Sequence, residues 1–171
     1  MNSSQKIVAR GAASGVITMA LLNYALYQLL PTIPGIETAT DRLVFALHMN
    51  VFASMPFFVM MIFVANGRFL SDAIDPTKHA ESKAMEINGR VADNTLQQNF
   101  VFFVGTLALA TFLDATSIKV LIPLTIVFIL ARIAFWIGYR MDPLYRAPGM
   151  AATSYMNLGI LIASVYFFIT Q

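Results

Sequence analysis

The chain has 171 residues, 58% hydrophobic and 12% charged, with a mean hydropathy of +0.70 and a formal net charge of +2. Soluble domains carry about a quarter charged residues, so this composition defines an integral membrane protein, with the length of a single domain of several spans over residues 1–171. The small net charge, with no basic cluster interleaved with aromatics, excludes nucleic acid as a partner, and the absence of cysteine excludes disulfides, thiolate metal sites and a cysteine nucleophile.

A spanning helix needs roughly 20 apolar residues, and a helix satisfies its own backbone hydrogen bonds in lipid. Five stretches meet or approach that length, at about 8–30, 43–65, 94–113, 118–139 and 151–170. The fold class is therefore all-α. Lys6 and Arg10 precede or open the first stretch, but its apolar part exceeds a signal-peptide core of roughly 7–15 residues and no convincing cleavage pattern follows Leu29-Leu30-Pro31, so it is expected to be retained as a span. Gly11, Ser14 and Gly15 give this helix a small-residue face, a pattern that allows another helix to approach closely. Asn23 is expected to be structural.

Pro31, Pro34 and Gly35 end the first helix, and Thr40 or Asp41 is expected to cap the second. That helix contains His48 and Asn50. No further His, Asp or Glu stands at ligand spacing, so no metal site is expected there. The long polar segment from Asn66 to Gly89 includes His79 and Glu81 to Glu86, expected to be solvated. It should hold a turn at Asp75-Pro76-Thr77 and a short surface helix over Ala80–Ile87.

The third span opens on Arg90-Val-Ala-Asp-Asn-Thr-Leu-Gln-Gln98. On a helix Arg90, Asn94 and Gln97 (i, i+4, i+7) share one face, and Gln98 and Asn99 add two more amides. Unpaired polar groups in hydrocarbon cost several kcal/mol, so this face should meet other helices, water or a polar ligand. Interhelical hydrogen bonds worth about 0.6–2 kcal/mol each are the ordinary reading; four amides beside an arginine favour a ligand or catalytic role. After a tight connection at Asp114–Ser117, the fourth span carries Arg132 about two turns before its end, with Trp136 and Tyr139 on the same face. A charge at membrane depth usually lines a bundle interior or cavity; the competing reading is that Arg132 snorkels to the interface. Tyr139, Tyr145 and Tyr155 surround the last loop, where interfacial aromatics are common.

With the N-terminus inside, the inner side carries eight basic residues (Lys6, Arg10, Arg68, Lys78, Lys83, Arg90, Arg140 and Arg146) and the outer side two (Arg42 and Lys119). The positive-inside rule then places the N-terminus in the cytoplasm and the C-terminus outside. Serine-hydrolase, zinc-protease and phosphate-loop motifs are absent from the sequence.

The stretch from Arg90 to Gln98, followed by Arg132 and by Tyr139 seven positions later, resembles the signature of the MAPEG family, the membrane-associated proteins of eicosanoid and glutathione metabolism. The basic loop at Arg146-Ala-Pro148 is similar too. The resemblance covers roughly Leu43 to the C-terminus. It implies a four-helix antiparallel transmembrane bundle over about 43–170, assembling as a homotrimer, with the helix at about 8–30 added. It further implies glutathione as co-substrate, bound between subunits near the cytoplasmic face and transferred to, or used to reduce or isomerise, a lipophilic small molecule arriving from membrane lipid. Arg90, Arg132 and Arg146 would supply charge-assisted bonds to carboxylates, with Arg68 a weaker candidate; Asn94 and Gln97 would meet the peptide; and Arg132 or Tyr139, the catalytic candidates, would stabilise the thiolate. The sequence departs from the family pattern where Gln97 replaces a glutamate, where Phe135 stands at a position often occupied by histidine, where Met150 replaces an arginine, and where Tyr155 lies one position out of register. These departures keep open a non-catalytic lipid-binding or scaffold protein on the same fold. A small proton or solute carrier is disfavoured because no Asp or Glu lies deep in a span.

Overall fold

The computed structural model describes residues 1–78 and 80–170; His79 lies outside the described residues. The five apolar stretches form five long helices: α1 (Ser3–Leu29), α2 (Ala39–Phe69), α3 (Lys83–Phe112), α4 (Leu121–Met141) and α5 (Ala147–Thr170). Each is long and apolar enough to cross a membrane, α4 and α5 together with the one-turn 3-10 helices before them. Among the described residues there are no strands. Large apolar side chains such as Phe58, Phe100, Ile162 and Phe168 are exposed along the flanks, as expected where the neighbour is lipid.

Local chemistry fixes the helix ends. Asn2 caps α1 in a reciprocal box with Gln5. The cap of α2 is Thr38 rather than Thr40 or Asp41. The Thr38 hydroxyl accepts from the Asp41 N–H at 3.1 Å, and the Asp41 carboxylate accepts from the Thr38 N–H at 2.9 Å. Asp41 therefore occupies the third helical position, where its charge also complements the helix dipole. The surface helix expected over Ala80–Ile87 is not a separate element. Ser82 caps a single helix that runs from Lys83 through Arg90 and Asn94 to Phe112; Gly89, the one weak former in its first turns, costs only about 1 kcal/mol. The expected turn at Asp75-Pro76-Thr77 is present, with the Asp75 carboxylate accepting from the Thr77 N–H at 3.0 Å.

Helices α2, α3, α4 and α5 pack around a core in which Phe102 and Phe128 meet with ring centroids 4.5 Å apart. Lipid supplies no hydrophobic drive between helices, so close packing and interhelical hydrogen bonds must hold them. Asn50 donates to the Thr106 hydroxyl at 2.8 Å, joining α2 to α3. Asn157 donates to the Gln98 carbonyl and side-chain oxygens at 3.0 Å each, joining α5 to α3. Asn23 donates within α1 to the Met19 carbonyl at 2.9 Å and approaches the Met156 sulfur of α5 at 3.9 Å.

The added helix α1 lies against α5 and α4. Its small-residue face makes that contact: a Cβ at Gly15 would collide with the Pro148 carbonyl of α5. At the opposite end, Lys119 donates to the Leu30 carbonyl at 2.8 Å and stands 4.5 Å from the centroid of the Tyr27 ring.

Candidate functional site

Arg132 is the largest fully buried side chain, with 0% exposure. It does not snorkel. Its Nη2 donates to the Asn94 side-chain oxygen of α3 at 2.9 Å, and its Nη1 donates to the Thr153 hydroxyl of α5 at 3.0 Å. Its guanidinium also lies over the Phe135 ring, 4.1 Å from the centroid. A glycine makes this possible. At Gly149 any Cβ would overlap the Ala131 carbonyl and the Phe135 backbone, so α5 crosses α4 at backbone contact. One turn further along α5, Thr153 is brought to the arginine, while its own hydrogen is directed to the Gly149 carbonyl at 3.1 Å.

The partners of Arg132 are neutral. Among the described residues no carboxylate pairs with it, and its Nε makes no hydrogen bond. A buried cation without a counter-charge carries a desolvation penalty of several kcal/mol, only partly offset by two charge-assisted hydrogen bonds and a cation–π contact of about 2 kcal/mol or more when desolvated.

From Arg132 an aromatic ladder runs to the end of the bundle that carries the N-terminus. Phe135 meets Tyr139 edge-on, with centroids 5.8 Å apart at 78°. Arg146, exposed on the one-turn helix Pro143–Arg146, stands 5.0 Å from the centroid of the Tyr139 ring and donates to the Pro143 carbonyl at 2.8 Å. Arg132, Phe135, Tyr139 and Arg146 thus form one connected group, with Asn94 attached to its buried end. Arg90, exposed on α3 one turn before Asn94, pairs with Glu86 at 2.6 Å.

Two other candidates lie apart. Gln97 is exposed on the flank of α3. Arg68 is tied to Glu81 at 2.6 Å in the α2–α3 connection. Such surface pairs are worth about 0–1 kcal/mol, so Arg68 and Arg90 are lightly held. Trp136 does not join the arginine: it donates to Asn88 at 2.9 Å and packs edge-on against Phe63. His48 is exposed on α2, and Tyr145 and Tyr155 are exposed around the last turn.

Sequence reasoning missed Thr153, Asn88 and Asn157. Asn157 was detectable as the one amide inside the last apolar run. Thr153 carries no such signal, because threonine is common in membrane helices and usually bonds its own backbone.

A bundle of five apolar helices with a guanidinium locked at its centre and further cations at one end defines a polytopic membrane protein with a polar interior site. The MAPEG family model matches residues 46–166, from α2 to near the end of α5, and the chain belongs to the MAPEG family. It is similar to transmembrane protein 79 of Mus musculus, 24% identical over 155 residues, which cover 90% of this chain and 39% of that protein. It is also similar to transmembrane protein 79 of Bos taurus, 25% identical over 162 residues, covering 94% of this chain and 40% of that protein. The chain thus spans about two fifths of the length of these curated relatives. No solved structure matches it.

Proposed function

We propose that the chain is a glutathione-dependent membrane enzyme of transferase or peroxidase type, acting on lipophilic electrophiles. One observation carries this reading: Arg146 covers the Tyr139 ring, 5.0 Å from its centroid, at the end of an aromatic ladder that starts at buried Arg132. A phenol under one exposed guanidinium, with a second exposed guanidinium on α3, suits a ligand with two carboxylates and a thiol. Arg90 and Arg146 would take the carboxylates in charge-assisted hydrogen bonds. Tyr139, with a cation over its ring, would donate to the sulfur and lower the thiol pKa. In the transfer, the thiol proton passes to water, the sulfur forms a bond to the electrophilic carbon, and the leaving group departs with its electron pair. Arg132 would act from the buried end by holding Phe135 and Asn94 in place and supplying positive potential. The reading includes a homotrimer in membrane lipid, a cytoplasmic N-terminus and an outer C-terminus, in keeping with the basic residues at the N-terminal end.

A non-catalytic lipid-binding or scaffold role is the second reading. It is favoured by the enclosure of Arg132 between Asn94 and Thr153 and by the exposure of Gln97. The test is thermal unfolding of purified protein with glutathione. Saturation at about 100 Kd would stabilise it by about 2.7 kcal/mol, and Tyr139→Phe should keep binding while suppressing the ultraviolet absorbance of bound thiolate. No shift at millimolar glutathione would leave the scaffold reading.

A further inference from the structure

We propose that α1 and the start of α5 form a binding site for one anionic phospholipid of the leaflet facing the N-terminus. A crevice of about 350 Å³ lies between these helices. Val8 and Ala12 of α1 form one wall, Leu144, Ala147, Met150 and Ala151 the other. Its polar lining residues follow one another along the chain: Arg146 just before α5, then half-buried Ser154 and exposed Tyr155 about two turns into it. Tyr155 lies nine positions after Arg146, roughly 13 Å at 1.5 Å per helical residue, and a tyrosine leans its hydroxyl back toward the interface. A phospholipid presents groups in the same order: phosphate outermost, ester carbonyls below it, acyl chain deepest.

Charge chooses the headgroup. Lys6 and Arg10 on α1, Arg140 at the end of α4 and Arg146 lie at this end of the bundle. Arg146 keeps donors free, because only its Nη1 is engaged, with Pro143. Asp142, the acidic residue nearest in sequence, accepts from the Leu144 N–H through its Oδ1 at 2.7 Å; its single negative charge stands against four basic residues at this end. Basic residues near an anionic membrane surface attract acidic headgroups, so a lipid with net negative charge is preferred over a zwitterionic one. The site depends on α1, which precedes the residues matched by the family model; it does not rest on the glutathione reading, and a lipid phosphate on Arg146 would compete with the carboxylate placed there.

The experiment is native mass spectrometry of the full chain with phosphatidylglycerol or phosphatidylcholine, with inorganic phosphate as competitor. One phosphatidylglycerol should stay bound per chain, at least 10-fold more tightly than phosphatidylcholine, and millimolar phosphate should not displace it. Ala12→Trp, which fills the crevice, should abolish the bound lipid; Tyr155→Phe, which leaves the packing intact, should weaken it several-fold. Lipid-free unfolding temperatures report whether each variant folds. Equal retention of the two lipids, displacement by phosphate alone, or unchanged binding in a folded Ala12→Trp or Tyr155→Phe would overturn the proposal.

Discussion

Arg132 and Thr153 meet at 3.0 Å because Gly149, one turn before the threonine, lets α5 touch the α4 backbone. The threonine hydroxyl bridges two elements, accepting from the guanidinium and donating to the Gly149 carbonyl. Removing it strands a charged donor in a site with no water access.

Thr153→Val preserves shape and should therefore destabilise by about 1–3 kcal/mol, the cost of an unsatisfied buried donor. Thr153→Ser, which keeps the hydroxyl, should recover most of that loss. Denaturant unfolding in detergent measures both; equal stability of the valine and serine variants would mean that the bond contributes nothing net.

Gln97 is exposed on the flank of α3, apart from the Arg132 group within one chain. In the proposed assembly of glutathione between subunits, it is this flank that a neighbour would complete. Gln97→Glu should then tighten glutathione binding about 5–10-fold, the gain of roughly 1 kcal/mol typical of a charge-assisted bond over a neutral one. Isothermal titration of assembled protein reads the change, and an unaltered Kd would remove Gln97 from the pocket.

Lys119 binds α1 to the start of α4 through the Leu30 carbonyl and the Tyr27 ring. Lys119→Met keeps the stem and deletes both polar interactions. The far end of α1 should loosen, with faster deuterium exchange over residues 26–30, while the Gly15–Pro148 contact holds the near end. Exchange in that segment identical to the parent protein would show that packing alone secures the helix.

Asp114 gives a pH dependence of known sign. Hydrogen bonds from the Ser117 N–H, and then from the Thr116 side chain, hold its carboxyl at about 2, below the ordinary 3.8. A lowered folded-state pKa means that the contribution is fully present above about pH 4 and fades as pH falls through about 2. The difference in unfolding temperature between the parent protein and Asp114→Ala should be constant at neutral pH and shrink over that acid window. A difference that stays flat down to pH 2 would contradict the assignment.

The five spans were legible because a run of about 20 apolar residues has few other fates. The group of Arg90, Asn94, Arg132 and Tyr139 could be picked out because polar side chains are conspicuous in such runs. What periodicity conveys is the face of a helix, not the partner across from it. Asn94 and Gln97 differ by only about 60° around α3, yet the edge of the packed region falls between them, leaving one half-buried and the other exposed. Likewise the approach at Gly149 depends on how two helices cross, which a solitary glycine in a sequence does not announce. The change of polarity near Arg90 suggests two pieces at the start of α3, although nothing in the backbone there interrupts a helix.

The placement of α1 on the α4–α5 seam has a bearing on how copies of this protein could neighbour one another. That seam is already occupied from within, so a second molecule cannot pack into it and must meet another flank. An epitope fused ahead of Asn2 would therefore mark the end of the helix that seals this seam, next to the Pro143–Arg146 turn.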